Sequence, residues 1–65
     1  MDWIEFIKAM ALEENAARAR YHWAAKQADS PQLRAVFERL RDEEAFHAEF
    51  LEGERAKLEK LLGAN

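Results

Sequence analysis

The most informative absence in this 65-residue sequence is that of cysteine, which does not occur at all. Its absence excludes disulfide bonds, thiolate metal sites and iron–sulfur clusters. A chain this short buries little apolar surface alone, and small domains are usually stabilised by disulfides, a metal or a partner chain. We therefore expect its stability to come from oligomerisation, from a metal bound by oxygen and nitrogen ligands, or from both.

The sequence also lacks an excess of positive charge, a long apolar run and a basic N-terminal segment followed by an apolar one. Its formal net charge is −3, whereas nucleic-acid-binding surfaces are typically basic. No apolar run approaches the ~20 residues of a membrane span, and the N-terminus does not resemble a secretion signal. These absences predict a cytoplasmic protein that binds neither nucleic acid nor membrane.

Residues that break helices are equally scarce, with one proline and two glycines. Pro31 follows Asp29 and Ser30, either of which can cap a helix, and proline suits a first helical turn because its missing N–H needs no partner there. Asp2 can cap an earlier helix, and Gly63 is typical of a helix end. The sequence predicts one domain over 1–65, with helix 1 at about 2–28, a turn at about 29–30 and helix 2 at about 31–62.

Each predicted helix carries a seam of mostly apolar residues spaced alternately four and three apart, which is the heptad pattern of bundle helices. The helix 1 seam comprises Trp3, Ile7, Met10, Glu14, Ala17, Tyr21, Ala24 and Ala28. The helix 2 seam comprises Leu33, Phe37, Leu40, Glu44, His47, Leu51, Glu54, Leu58 and Leu61. Because a short turn makes two helices antiparallel neighbours, the sequence predicts an all-α, antiparallel two-helix hairpin.

Three ionisable residues interrupt the middle of the seams: Glu14, Glu44 and His47. At ~1.5 Å rise per residue, Glu14 before the turn and Glu44 after it both lie about 20 Å from the turn. His47 follows Glu44 by three residues and therefore shares its face. Neither seam contains Lys or Arg, so a metal cation is the natural partner for buried carboxylates. Carboxylates with imidazole favour iron or manganese, and zinc is also acceptable.

One hairpin offers only half of the ligand set of a di-iron bundle, which needs two lone Glu residues and two Glu-x-x-His pairs. Two copies related by a two-fold axis supply the whole set and enlarge the core. Their four carboxylates would balance two divalent ions while the imidazoles stay neutral. We therefore predict a homodimeric four-helix bundle. Polar residues in a seam can instead set helix register, so a metal-free dimerisation module is the alternative.

The residues at these positions resemble the ferritin-like superfamily, most closely its half-sized members, the encapsulated ferritins, and next the rubrerythrins. The resemblance covers about residues 10–52. The matching elements are Glu14-x-x-Ala17-x-x-x-Tyr21, Asp29-Ser30-Pro31 and Arg41-Asp42-Glu43-Glu44-Ala45-Phe46-His47. It implies a ferritin-like four-helix bundle with a ferroxidase centre at the dimer interface, in which Glu14, Glu44 and His47 are iron ligands.

The same resemblance implies a ferroxidase-type di-iron oxidoreductase that converts Fe(II) to Fe(III) for iron storage and detoxification. It places Tyr21 beside the site as a further catalytic residue, although an ordinary core aromatic would fit that position equally well. It also implies a ring of dimers and an encapsulin shell as partner, which would put the protein inside a nanocompartment. A rubrerythrin-like di-iron peroxidase using the same residues is the alternative activity.

Helix 1 is also apolar on the side opposite its seam, where Ala9, Leu12, Ala16, Ala19 and Trp23 align. A stripe that ends in tryptophan indicates a contact surface. We expect dimers to associate further through this second apolar face. The alternative is that Trp23 folds onto the surface of its own hairpin.

Overall fold

The structure, a computed structural model that describes residues 1–63, consists of two α-helices joined by a tight turn. Helix α1 spans Trp3–Gln27 and helix α2 spans Pro31–Leu61. They pack side by side as an antiparallel hairpin, 49 Å long and 15 Å across. The all-α hairpin predicted from the sequence is confirmed. The last two residues of the predicted domain 1–65 lie outside the described residues.

Both helices begin at side-chain caps. Asp2 Oδ1 accepts a hydrogen bond from the Glu5 N–H at 3.1 Å, and Ser30 Oγ accepts one from the Leu33 N–H at 3.1 Å. Of the two residues that could cap α2, Ser30 rather than Asp29 does so. Each cap satisfies a backbone N–H that the helix itself leaves unpaired, which typically contributes about 1 kcal/mol.

A glycine in the left-handed region ends α2. The Leu62 N–H donates to the Leu58 carbonyl at 2.9 Å, and the Gly63 N–H donates to the Lys60 carbonyl at 3.3 Å. Gly63 has a φ of +68°, a conformation that costs glycine little because it has no Cβ. Gly53, by contrast, lies within the continuous helix α2.

The most deeply buried apolar residues lie beside the predicted seams rather than on them. The buried apolar residues are Ala11, Ala25 and Ala48, each of which follows a seam position in the sequence. Their small side chains let the two helices approach closely. Large seam residues such as Tyr21 and Phe37 are only half-buried. The seams therefore run along the edge of the hairpin interface, and one side of each seam is exposed to solvent.

The remaining faces of the hairpin are largely solvated. Glu54, a seam residue near the end of α2, pairs with Lys57 at 3.4 Å. On the second apolar face of α1, Leu12 and Trp23 are 71% and 65% exposed, so Trp23 does not fold onto the hairpin. Further association through that face stays a prediction. Within residues 1–63, neither helix is both long enough and apolar enough to cross a membrane.

Candidate metal centre

Midway along the hairpin, one side chain from α1 and two from α2 converge. His47 Nδ1 lies 3.5 Å from Glu14 Oε2 and 3.5 Å from Glu44 Oε1. One potential ligand atom from each residue lies within 4.8 Å of the other two. The structure thus brings together the three residues predicted to bind metal. In the described part of the chain, no second group of three such residues converges in this way.

The local packing of the helices explains this convergence. Glu44 and His47 are three residues apart on α2 and so project from the same face. Ala48, the next residue, is buried against α1, and its small side chain keeps the two helices close. As a result, the imidazole carried by α2 reaches the Glu14 carboxylate on α1.

The two carboxylates are more shielded from solvent than the imidazole. The Glu14 and Glu44 side chains are 29% and 21% exposed, and the His47 side chain is 52% exposed. Glu14 Oε2 is itself buried and has no hydrogen-bond partner within residues 1–63, because its contact with His47 Nδ1 lacks hydrogen-bond geometry. A buried acceptor without a donor is costly, and a bound cation would satisfy it.

The electrostatics of the cluster disfavour a second negative charge. The pKa of Glu44 is raised above its usual value of 4.5, first because the neighbouring Glu14 side chain favours its protonated form. Burial and the negative charge of Glu14 act in the same direction, while His47 acts against them. The metal-free cluster therefore favours binding a proton at Glu44, and a divalent cation could replace that proton.

Two aromatic residues that were not predicted as part of the site stand beside it. A cavity of about 400 Å³ next to the cluster is lined by Glu14, Phe46, His47, Phe50 and Leu51. Phe46 and Phe50 are 66% and 58% exposed. Their four-residue spacing on either side of His47 was the sequence signal that could have found them, because residues so spaced share a helix face.

Tyr21 packs against another aromatic residue of the hairpin. Its ring stacks on Phe37 with centroids 6.4 Å apart and an interplanar angle of 22°. Within residues 1–63, its hydroxyl makes no hydrogen bond to a side chain of the cluster. The structure gives Tyr21 an aromatic packing contact, and a catalytic role for it stays a prediction.

The rubrerythrin family model matches residues 5–63, a range that includes Glu14, Glu44 and His47. No curated protein and no solved structure gives a significant match. Rubrerythrins are part of the ferritin-like superfamily and are generally di-iron oxidoreductases. The ferritin-like membership predicted from the sequence is therefore confirmed. Since the match extends over nearly all of the sequence, the chain belongs to the rubrerythrin family.

Proposed function

We propose that two copies of this chain pair across the open side of the cluster to form a four-helix bundle with a di-iron centre, at which dioxygen would take electrons from Fe(II) and leave Fe(III). The observation that carries the proposal is the buried Glu14 Oε2, which has no hydrogen-bond partner in residues 1–63 and lies beside Glu44 and His47. Family membership supports iron as the metal. Iron bound there would supply one-electron redox chemistry. Mn(II) or Zn(II) could occupy the same ligands.

The ligand count and the charge of the cluster both favour a dimer. One chain supplies two carboxylates and one imidazole. A copy related by two-fold symmetry would complete the set of four carboxylates and two imidazoles that di-iron bundles use. Four negative charges would then balance two divalent cations. The second copy would also cover the half-buried seams and the exposed rings of Phe46 and Phe50.

Each residue has a role that follows from its chemistry. Glu14 and Glu44 would hold the cation through carboxylate oxygens, and His47 would bind through Nδ1, which is the ring atom within 3.5 Å of both carboxylates. Phe46 and Phe50 would exclude water once a second copy covers them. In the assembled bundle, the Tyr21 hydroxyl would donate a hydrogen bond to a ligand carboxylate and orient it.

A peroxidase is the second candidate, because the family that matches the chain is the rubrerythrins rather than a family of iron-storage proteins. In that case hydrogen peroxide would take the electrons from Fe(II), and an external reductant would restore the iron. These 65 residues contain no cysteine, so they do not themselves provide a cysteine-ligated iron centre that could pass electrons. Rates of Fe(III) formation with peroxide and with dioxygen, measured with and without a reductant, separate the two activities.

The experiment that tests the site compares the wild type with Glu14→Gln, Glu44→Gln and His47→Ala. Each protein is loaded anaerobically with Fe(II), its bound iron is counted, and Fe(III) formation is followed after the oxidant is added. We expect two iron ions per pair of chains in the wild type. Each variant should lose paired binding and rapid oxidation, because two-fold symmetry makes each substitution remove two ligands.

Glu49→Gln is the matched control, since Glu49 is an exposed carboxylate on the same helix and its substitution changes the charge equally. It should retain iron binding and oxidation. A wild-type oxidation rate in any of the three ligand variants would remove that residue from the site. If the wild type binds no metal and its Tm does not respond to Fe(II), Mn(II) or Zn(II), the metal-free dimerisation module is the better description.

A further inference from the structure

We propose that the outer groove between α1 and α2, which lies between the turn and the cluster of Glu14, Glu44 and His47, binds phosphate oxyanions. Two adjoining concavities of about 320 and 330 Å³ form the groove. Its inner end is lined by Arg18, Ala19, His22 and Arg41. Its other end, nearer the turn, is lined by His22, Ala25, Lys26, Arg34, Glu38 and Arg41. We call this feature the basic groove. It does not depend on the proposed iron chemistry.

The cations of the basic groove are poorly compensated. Within residues 1–63, Arg18, Lys26 and Arg34 have no carboxylate oxygen within 4.0 Å, whereas Arg55 at the other end of the hairpin pairs with two glutamates. Arg41 pairs with Asp42 at 3.0 Å. The chain as a whole has a net charge of −3, so this concentration of positive charge is local. Mutual repulsion among these cations would be relieved by a bound anion.

At the inner end, whose lining includes no carboxylate residue, a guanidinium lies beside an imidazole. Arg41 Nη1 lies 3.4 Å from His22 Nδ1. Because a guanidinium has only donors, this contact is a hydrogen bond only when Nδ1 accepts, which leaves the ring proton on Nε2 as a further donor. Arg18 lines the same concavity. Two guanidinium groups and an imidazole N–H form a donor set that suits a tetrahedral oxyanion.

The spacing along α1 indicates how many phosphate groups the groove can hold. Arg18, His22 and Lys26 recur every four residues, so they follow one face for about 12 Å. A single phosphate fits the inner end, where no glutamate lines the concavity. A chain of linked phosphates could also reach Lys26 and Arg34, although Glu38 lowers the positive potential there. Phosphate is thus the chemical class, and a short polyphosphate is the form that uses the whole groove.

The test is calorimetric titration of the full chain, stripped of metal with a chelator, with inorganic phosphate and with tripolyphosphate at constant ionic strength. We expect saturable binding of one anion per chain, with tripolyphosphate about tenfold tighter than phosphate because it reaches more cations. Arg18→Gln and Arg41→Gln should each weaken phosphate binding about tenfold, the usual effect of losing one charge-assisted hydrogen bond. Lys26→Gln should weaken tripolyphosphate alone.

Two control variants make the result decisive. Arg20→Gln changes the charge equally on α1 but lies outside the groove lining, so it should weaken binding less than about twofold. Glu44→Gln should leave phosphate affinity unchanged. This result would show that phosphate binding does not depend on the proposed iron site. Absence of saturable binding by the wild type overturns the proposal. Equal losses in Arg18→Gln and Arg20→Gln overturn it too, because they indicate a general charge effect, and circular dichroism checks that each variant is folded.

Discussion

At the level of single residues, the cluster of Glu14, Glu44 and His47 couples proton binding to stability through Glu44. Its pKa is raised in the folded chain from a usual value of 4.5, which also describes the unfolded chain. Between these two values the folded state binds more protons than the unfolded state, so the free energy of unfolding falls as pH rises through that interval. The cost of a charged Glu44 is therefore present at neutral pH and absent below the unfolded value.

Replacing Glu44 by glutamine removes this cost, because the amide keeps the shape of the carboxyl group without its charge. We expect Glu44→Gln to raise the Tm of the metal-free protein at pH 7 and to leave it nearly unchanged at about pH 4, where the wild-type carboxyl is mostly protonated. Thermal melts at one protein concentration from pH 4 to pH 8 measure the effect. Glu49→Gln should follow the wild-type pH dependence. Parallel curves for Glu44→Gln and the wild type would contradict the electrostatic account of the cluster.

At the level of the helices, three alanines set the distance between α1 and α2 and thereby the geometry of the cluster. Ala11, Ala25 and Ala48 are the buried residues of the interface. Ala48 directly follows His47, so the separation of the helices at that level also sets the reach of the imidazole towards Glu14. A larger side chain at position 48 would force the helices apart or into strained rotamers.

We therefore expect Ala48→Leu to lower the free energy of unfolding by about 1–3 kcal/mol, the range typical of overpacked interfaces. The same variant should weaken the stabilisation by divalent metal, because His47 would move away from Glu14. Ala56→Leu is the control, since Ala56 is exposed on α2 and leucine is also a good helix former. Its effect should stay within about 0.5 kcal/mol. Urea unfolding with and without Zn(II) measures both quantities, and equal stabilities for the two variants would contradict close packing of Ala48 at the helix interface.

The helices themselves were predictable because their signals are local. Ser30 and Pro31 start α2, and Asp2 caps α1, through interactions that span only three or four residues. The convergence of Glu14 with Glu44 followed from helical rise and an antiparallel turn. The side of each seam on which α1 and α2 contact each other was not predictable. The contact is made by alanines, and alanine is the best helix former and occurs on any helix face. The exposed phenylalanines beside His47 were missed because the heptad pattern assigns them outside the seam.

At the level of the whole molecule, the isolated hairpin leaves one side of the cluster of Glu14, Glu44 and His47 open. Phe46, Phe50 and His47 all lie on that side, around the cavity next to Glu14. The exposed apolar rings and the ligands that the proposed di-iron centre still needs both favour the same partner, a second copy of the chain. A ring of such dimers, joined through the second apolar face of α1, and an encapsulin shell around it stay predictions.

The dimer prediction is tested by placing a charge on each of the two exposed apolar faces in turn. Phe50→Glu should convert the protein to a 7.6 kDa monomer at micromolar concentration, because it puts an additional carboxylate beside those of the cluster and removes an apolar contact. Leu12→Glu makes the same kind of change on the second apolar face and should leave the dimer intact. Sedimentation equilibrium measures both masses. If Leu12→Glu gives the monomer and Phe50→Glu the dimer, the chains pair through the second face of α1, and the Glu14 clusters of the two copies cannot form one di-iron centre.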